Sequence, residues 1–211
     1  TLANGYAAWA AQQGISPVFR PVNRIDKDTS GLVLAAKNGY AAPLLAEGVE
    51  KLYYAIVEGE LPLGLGVIDA PIGRRGDSII GRCVTPEGKP SRTEYTILKA
   101  AQGLSLAACV PVTGRTHQIR VHMAWKGFPL FNDARYGGAR ILKGTTFSKY
   151  RQFVENCFAL LPRQALHARC LGFVHPSTGR EVYFESELPA GFRAVLDRWE
   201  NYAAHVRTDA E

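Results

Sequence analysis

An aspartate stands at position 26 in the run Pro21-Val22-Asn23-Arg24-Ile25-Asp26-Lys27-Asp28-Thr29-Ser30-Gly31. It sits between an isoleucine and the apolar run that begins at Leu32. A carboxylate so placed is too costly to bury alone. It is either one half of a structural ion pair or a group put to chemical use, since both kinds of site perturb carboxylates. The stretch by itself leaves both readings open. The residues that follow have a plainer one. Asp, Thr and Ser side chains bond neighbouring backbone and Gly31 takes positive φ, so Asp28 to Gly31 is turn chemistry.

A second group of chemical residues lies in Thr113-Gly114-Arg115-Thr116-His117-Gln118-Ile119-Arg120-Val121-His122-Met123-Ala124. The spacing predicts a helix with Thr113 as N-cap and Gly127 as stop. Arg115 would then stand at the helix start, where the macrodipole disfavours a cation by a few tenths of a kcal/mol. A nearby anion would account for it. His117 and His122 are five apart, the wrong spacing for a shared helical face, and no acidic partner accompanies them, so no metal site is expected there. Cys83, Cys109, Cys157 and Cys170 show no CxxC and no ligand spacing. A zinc site and a disulfide framework are both disfavoured, and reduced thiols in a cytoplasmic protein are the simplest expectation.

The elements that must position these groups can be read from periodicity. Residues 2–13 carry Leu2, Tyr6, Trp9, Ala10 and Gln13 at helical spacing, and Gly14 ends the run. Pro17 and Pro21 mark a loop, Leu32 to Ala36 a strand, and Gly39 to Ala46 a short helix broken by Pro43. In Glu50 to Gly59 both alternating sets, Leu52/Tyr54/Ile56 and Tyr53/Ala55/Val57, are apolar, which predicts a central strand covered on both faces. Short strands such as Val67-Ile68-Asp69 and a basic turn at Arg74-Arg75-Gly76-Asp77 follow. Thr93 to Leu98 and Leu104 to Val112 read as an antiparallel hairpin. Tyr150, Phe153, Val154 and Cys157 form a helical stripe. A strand over Ala165–Val174 turns at residues 176–179 into Glu181–Glu185. The chain closes with an amphipathic helix whose face is Phe192, Val195, Leu196, Trp199, Ala203 and Val206. Strand runs dominate without βα alternation, so the expected class is α+β, with a mixed, mostly antiparallel sheet flanked by helices around a central active-site cleft.

The 211 residues could bury roughly 70% of the unfolded surface. No apolar run approaches the ~20 residues of a membrane span, and no signal peptide is visible at the N-terminus. The net charge of +6 is uneven: residues 61–151 hold 14 Lys/Arg against 5 Asp/Glu. One positive face suited to a polyanion is the implication.

Three segments carry a resemblance. Arg24-Ile25-Asp26-Lys27-Asp28-Thr29-Ser30-Gly31-Leu32, Lys51-Leu52-Tyr53 before a strand, and Gly114 to His122 resemble the signature set of the RluA-type RNA pseudouridine synthases. Gly88 to Tyr95, the loop from Pro129 to Gly137, and Leu166-His167-Ala168 add to it. The resemblance covers nearly the whole chain and implies one pseudouridine synthase catalytic domain over residues 1–211, here without a preceding strand or an S4-type RNA-binding domain. Asn23 stands where the family usually has His, and Ile25 where it has Leu.

The resemblance implies isomerisation of specific uridines in structured RNA, ribosomal first and transfer second, by a monomeric chain with no cofactor. Asp26 would act at the sugar C1′, bonding it or removing a 2′ proton. Arg115 would pair with Asp26 and keep it ionised. Tyr53 would stack on the uracil and assist loss of the C5 proton, stacking that contributes roughly 1–3 kcal/mol per base. Arg24 would hold the RNA open; Lys27, His117, Arg120, Leu166 and His167 would contact substrate, with Arg135 a further phosphate contact. Two other readings stand beside it: a catalytically silent RNA-binding module of the same fold, and a metal-dependent nuclease using Asp26, Asp28 and Asp133.

Overall fold

Turn residues cut the chain into short pieces, and the computed structural model describes residues 1–16, 18–142 and 148–208. The first elements are α1 (Leu2–Gln12), β1 (Arg20–Pro21), β2 (Ser30–Gly31), β3 (Ala35–Ala36) and α2 (Ala41–Ala46). Then come β4 (Glu50–Glu58), β5 (Gly64–Asp69), β6 (Ile72–Arg74), β7 (Arg82–Val84), β8 (Arg92–Ala101) and β9 (Leu104–Pro111). The last are α3 (Gln118–Trp125), α4 (Ser148–Leu160), β10 (Leu166–Val174), β11 (Glu181–Glu185) and α5 (Ala190–Thr208). Pro17, expected in a loop, lies outside the described residues.

The doubly apolar β4 is central, as its composition predicts. The main sheet runs β11-β10-β4-β9-β8-β5, every neighbour antiparallel, and among the described residues β2 alone joins it in parallel, against β10. Period-two alternation then divides the core. Tyr53, Ala55 and Val57 of β4 face one side with Ile97, Ala107, Ile119, Met123 and Leu166. Ile56 faces the other with Phe131, Phe153, Cys157, Phe192, Val195 and Trp199 of the loop and helices that cover it. The expected stripes of α4 and α5 are the buried ones, and Trp199 Nε1 donates to the Ala101 carbonyl at 3.0 Å. The α+β class with a mostly antiparallel sheet holds. Tyr53 and Leu166 lie on the α3 side.

Two expectations near the N-terminus need correction. Leu32–Ala36 is not one strand. The backbone pairs with β10 at Ser30–Gly31, bends away, and pairs with β1 only at Ala35–Ala36. Pro43 does not break α2, because it falls in the first helical turn, where the missing N–H would be unpaired anyway.

Glu58, at the end of β4, is 6% exposed. Among the described residues its Oε2 accepts the Leu142 N–H, at 3.3 Å, and its Oε1 has no partner. Burial pushes its pKa from 4.5 up to about 8, against the pull of that N–H. Between these values the folded chain keeps a proton that the unfolded chain has lost, so stability falls as pH rises through the window. We expect Glu58→Gln to flatten this decline and to raise the thermal midpoint at about pH 9, by ~2–4 °C per kcal/mol recovered. Scanning calorimetry at acid and alkaline pH checks it; an unchanged slope counts against a protonated Glu58.

Candidate active site

Asp26 begins a turn closed by the Thr29 N–H on the Asp26 carbonyl at 3.1 Å. Asp28, third in the turn, has φ of 66°, a conformation that Asp tolerates and that the third position of a type II turn requires. The segment leading into β10 grips this turn from outside. Gln164 Nε2 donates to the Lys27 carbonyl at 2.7 Å and to Thr29 Oγ1 at 3.1 Å. Arg163 donates to the Asp28 carbonyl and to Ser30 Oγ, each at 3.0 Å. Gly31 presses on β10 so closely that an added Cβ would stand 2.2 Å from the Ala168 carbonyl oxygen. Only glycine permits that docking. Asp26 is thereby placed by backbone contacts that leave its side chain free.

The carboxylate of Asp26 meets Arg120. Its Oδ2 accepts from Arg120 Nη1 at 3.3 Å, and its Oδ1 has no hydrogen bond among the described residues. The same guanidinium is held more firmly by Asp133, through Nε at 2.7 Å and Nη2 at 2.9 Å. Asp133 is wholly buried and also accepts the backbone N–H groups of Arg135 and Tyr136. The Tyr136 ring lies 5.0 Å from the guanidinium carbon. Burial opposes the charge on Arg120, yet the hydrogen bonds and charges of Asp133 and Asp26 prevail and raise its pKa. Two acids bridged by an arginine form a poor cation site, which removes the basis for the metal-dependent nuclease.

Arg115 is therefore not the partner of Asp26. The helix expected from Thr113 begins at Gln118, because His117 has φ of 58° and the Gln118 side chain ties down the segment before it. Gln118 Oε1 accepts from Thr113 Oγ1 at 2.6 Å and from the Arg115 N–H at 3.0 Å. Its Nε2 donates to the Arg92 carbonyl and to Thr93 Oγ1. Arg115 thus lies on a loop, off the helix dipole, and its Nε donates to the Pro90 carbonyl at 3.2 Å.

Above Asp26 opens a cavity of about 310 Å³, walled by Arg24, Asp26, Tyr53, Arg115, His117 and Leu166 among others. Tyr53 is 7% exposed, and burial, then the charge of Asp26, pushes its hydroxyl up to about 12. Half-buried Lys51 in the same wall has a lowered pKa, from burial. Arg24 and Arg115 are exposed on the rim. Three expected substrate contacts lie elsewhere. Arg120 is behind Asp26, in the ion pair. The Lys27 side chain is exposed and outside the wall. His167 alternates with Leu166 along β10 and points the other way; it is 1% exposed, with Nδ1 2.9 Å from Ser30 Oγ. It supports the Asp26 turn and cannot reach the cavity.

The family model for RNA pseudouridylate synthases matches residues 7–125. The chain belongs to that family. Among the curated pseudouridine synthases, a Bacillus subtilis protein named as an uncharacterized RNA pseudouridine synthase is 38% identical over 201 residues, covering 93% of this chain and 65% of its own length. A Pseudomonas aeruginosa protein named ribosomal large subunit pseudouridine synthase D is 41% identical over 184 residues, covering 83% of this chain and 55% of its own. The chain spans about three-fifths of the length of the curated relatives it matches. Human RNA pseudouridylate synthase domain containing 1 superposes with a TM-score of 0.62 at 28% identity, over 82% of this chain and 70% of that one. Asn23, where the usual synthase pattern has His, accepts the Leu34 N–H at 2.6 Å and so pins the strand of chain beyond the turn.

Reading the sequence missed the role of Asp133 and of Gln164. For Asp133 a signal existed: it is one of five acids among residues 61–151, thirteen positions after an arginine on a predicted helix. Gln164 carries no such signal. The two arginines now separate by experiment. Arg120→Leu should lower turnover of uridine-containing RNA by about 10²–10³-fold, the scale of losing one preorganised charge contact. Arg115→Leu should mainly raise KM, by less than about tenfold. Comparable kcat losses in both would overturn the assignment of Arg120.

Proposed function

We propose that this chain converts uridine to pseudouridine in structured RNA, with Asp26 as the group that acts at the sugar. The observation that supports it best is the state of that carboxylate. It lines the cavity with a side chain 15% exposed, is held at one oxygen by Arg120, and has no hydrogen bond at the other among the described residues. A purely structural ion pair has no use for the second oxygen. Tyr53 in the adjoining wall supplies a face for the uracil, and Leu166 an apolar contact beside it.

The reaction rearranges one nucleotide. The C1′–N1 bond breaks, the base turns, C5 bonds to C1′, and the C5 proton leaves. Nothing is oxidised and no group is carried away, so the chemistry asks for no cofactor. The target nucleotide must leave its stack to reach a cavity of this depth, as for other enzymes that act on a base. Rim residues Arg24 and Arg115, with the basic excess of residues 61–151, suit the flanking phosphates. Ribosomal RNA is the favoured substrate, because relatives 37–41% identical are named ribosomal large subunit pseudouridine synthases. RNA shape, with single-stranded loops, would select the uridine.

Asp26→Asn should abolish tritium release from RNA carrying 5-tritiated uridine and leave RNA affinity within about twofold, since the amide keeps the shape and loses the nucleophile. Full release by that variant would sink the proposal.

A further inference from the structure

Tyr136 and His117 form a second hydrogen-bonded pair beside the Arg120–Asp26 contact. His117 Nδ1 lies 2.6 Å from the Tyr136 hydroxyl oxygen, and the same oxygen accepts the Arg82 N–H at 3.2 Å. An amide N–H can only donate. Among the described residues the hydroxyl hydrogen therefore has one acceptor, His117 Nδ1. With the hydroxyl donating to it, Nδ1 carries no proton and the ring hydrogen sits on Nε2. The cavity wall includes His117 and excludes Tyr136. With Nδ1 tied to Tyr136, Nε2 has no hydrogen-bond partner among the described residues and belongs to a ring that lines the cavity.

The backbone supports a fitted role. His117 is a non-glycine residue in the left-handed region, held there by the Gln118 bonds that fix residues 113–118. Strain of this kind, over-determined by its surroundings, gathers at working sites. The charges facing the ring are Asp26, Arg120, Arg135 and Arg82. Burial lowers the imidazole pKa, Asp26 opposes, and the three guanidinium groups reinforce the lowering. The balance of these groups favours the uncharged ring.

We propose that His117 Nε2–H donates a hydrogen bond to a carbonyl oxygen of the target uracil, and that Tyr136 is the positioning residue that fixes the donating tautomer. This rests on reading the cavity as the uridine site. When C1′–N1 breaks, the bonding pair leaves with the base and its negative charge spreads over N1, O2 and O4. A preoriented donor at one carbonyl stabilises that charge. An uncharged donor holds the oxygen less tightly than an imidazolium would, which suits a base that must turn before C5 supplies the pair for the new bond to C1′.

The tautomer can be read directly in the free protein from the ¹⁵N shifts of its labelled imidazoles. We expect His117 to carry its proton on Nε2 at neutral pH, and Tyr136→Phe to mix the tautomers; an Nδ1–H form or an imidazolium in the wild type overturns the proposal. For turnover, His117→Phe should lower kcat by about 10²-fold with KM little changed, and His117→Gln, whose amide can reach the place of Nε2, should recover most of the loss. RNAs with 2-thiouridine or 4-thiouridine at the target locate the carbonyl: one of them should slow the wild type and not His117→Phe. Equal penalties in both proteins overturn the contact. A salt-dependence slope smaller by about one in His117→Phe would assign the contact to a phosphate and overturn it as well. No tritium release by the wild type would sink the reading of the cavity, and the contact with it. Release with an unchanged kcat in His117→Phe would sink the contact alone.

Discussion

One guanidinium serves two carboxylates. Arg120 gives two nitrogens to Asp133 and one to Asp26, and it is 6% exposed while doing so. Taking such charges out of water is expensive, and removing one partner of a buried pair costs about 3–5 kcal/mol. The structure meets that demand by completing Asp133 with two backbone N–H groups and by resting Tyr136 against the guanidinium. The group joins α3, the loop before Gly138 and the Asp26 turn. Its unequal division leaves Asp26 oriented, with one oxygen uncommitted.

The sheet supplies the rest of the positioning through its period of two. Along β4, Tyr53 enters the cavity side while Tyr54 and Ile56 belong to the face that carries α4 and α5. Along β10, Leu166 enters the cavity wall and His167 goes into the opposite layer against Ser30. Adjacent residues in one motif thus have unrelated tasks. The doubly apolar character of β4 follows from this: one face must build a site and the other a core.

What could be read from the sequence was what depends on local periodicity. The central strand β4, the β8–β9 hairpin, and the buried stripes of α4 and α5 all stand where alternation or helical spacing placed them, and Asp26 and Tyr53 share one cavity. The misassigned cation has a nonlocal cause. Spacing favoured a helix from Thr113, but a left-handed His117 and the side chain of Gln118, bonded to β8, delay it to Gln118 and move the buried arginine to position 120. The strand expected over Leu32–Ala36 failed for a similar reason. Its pairing is decided by Gly31 against Ala168, a contact between residues far apart in the chain.

That docking has a temporal consequence. The Asp26 turn takes its outer hydrogen bonds from Arg163 and Gln164, and its strand partner from β10, about 137 positions downstream. Contacts of such separation carry a large loop-closure cost and form late. During synthesis the Asp26 turn emerges long before the strand that fixes it. Asp26 is made well before the segment that supports its turn and is set in place only once that segment arrives.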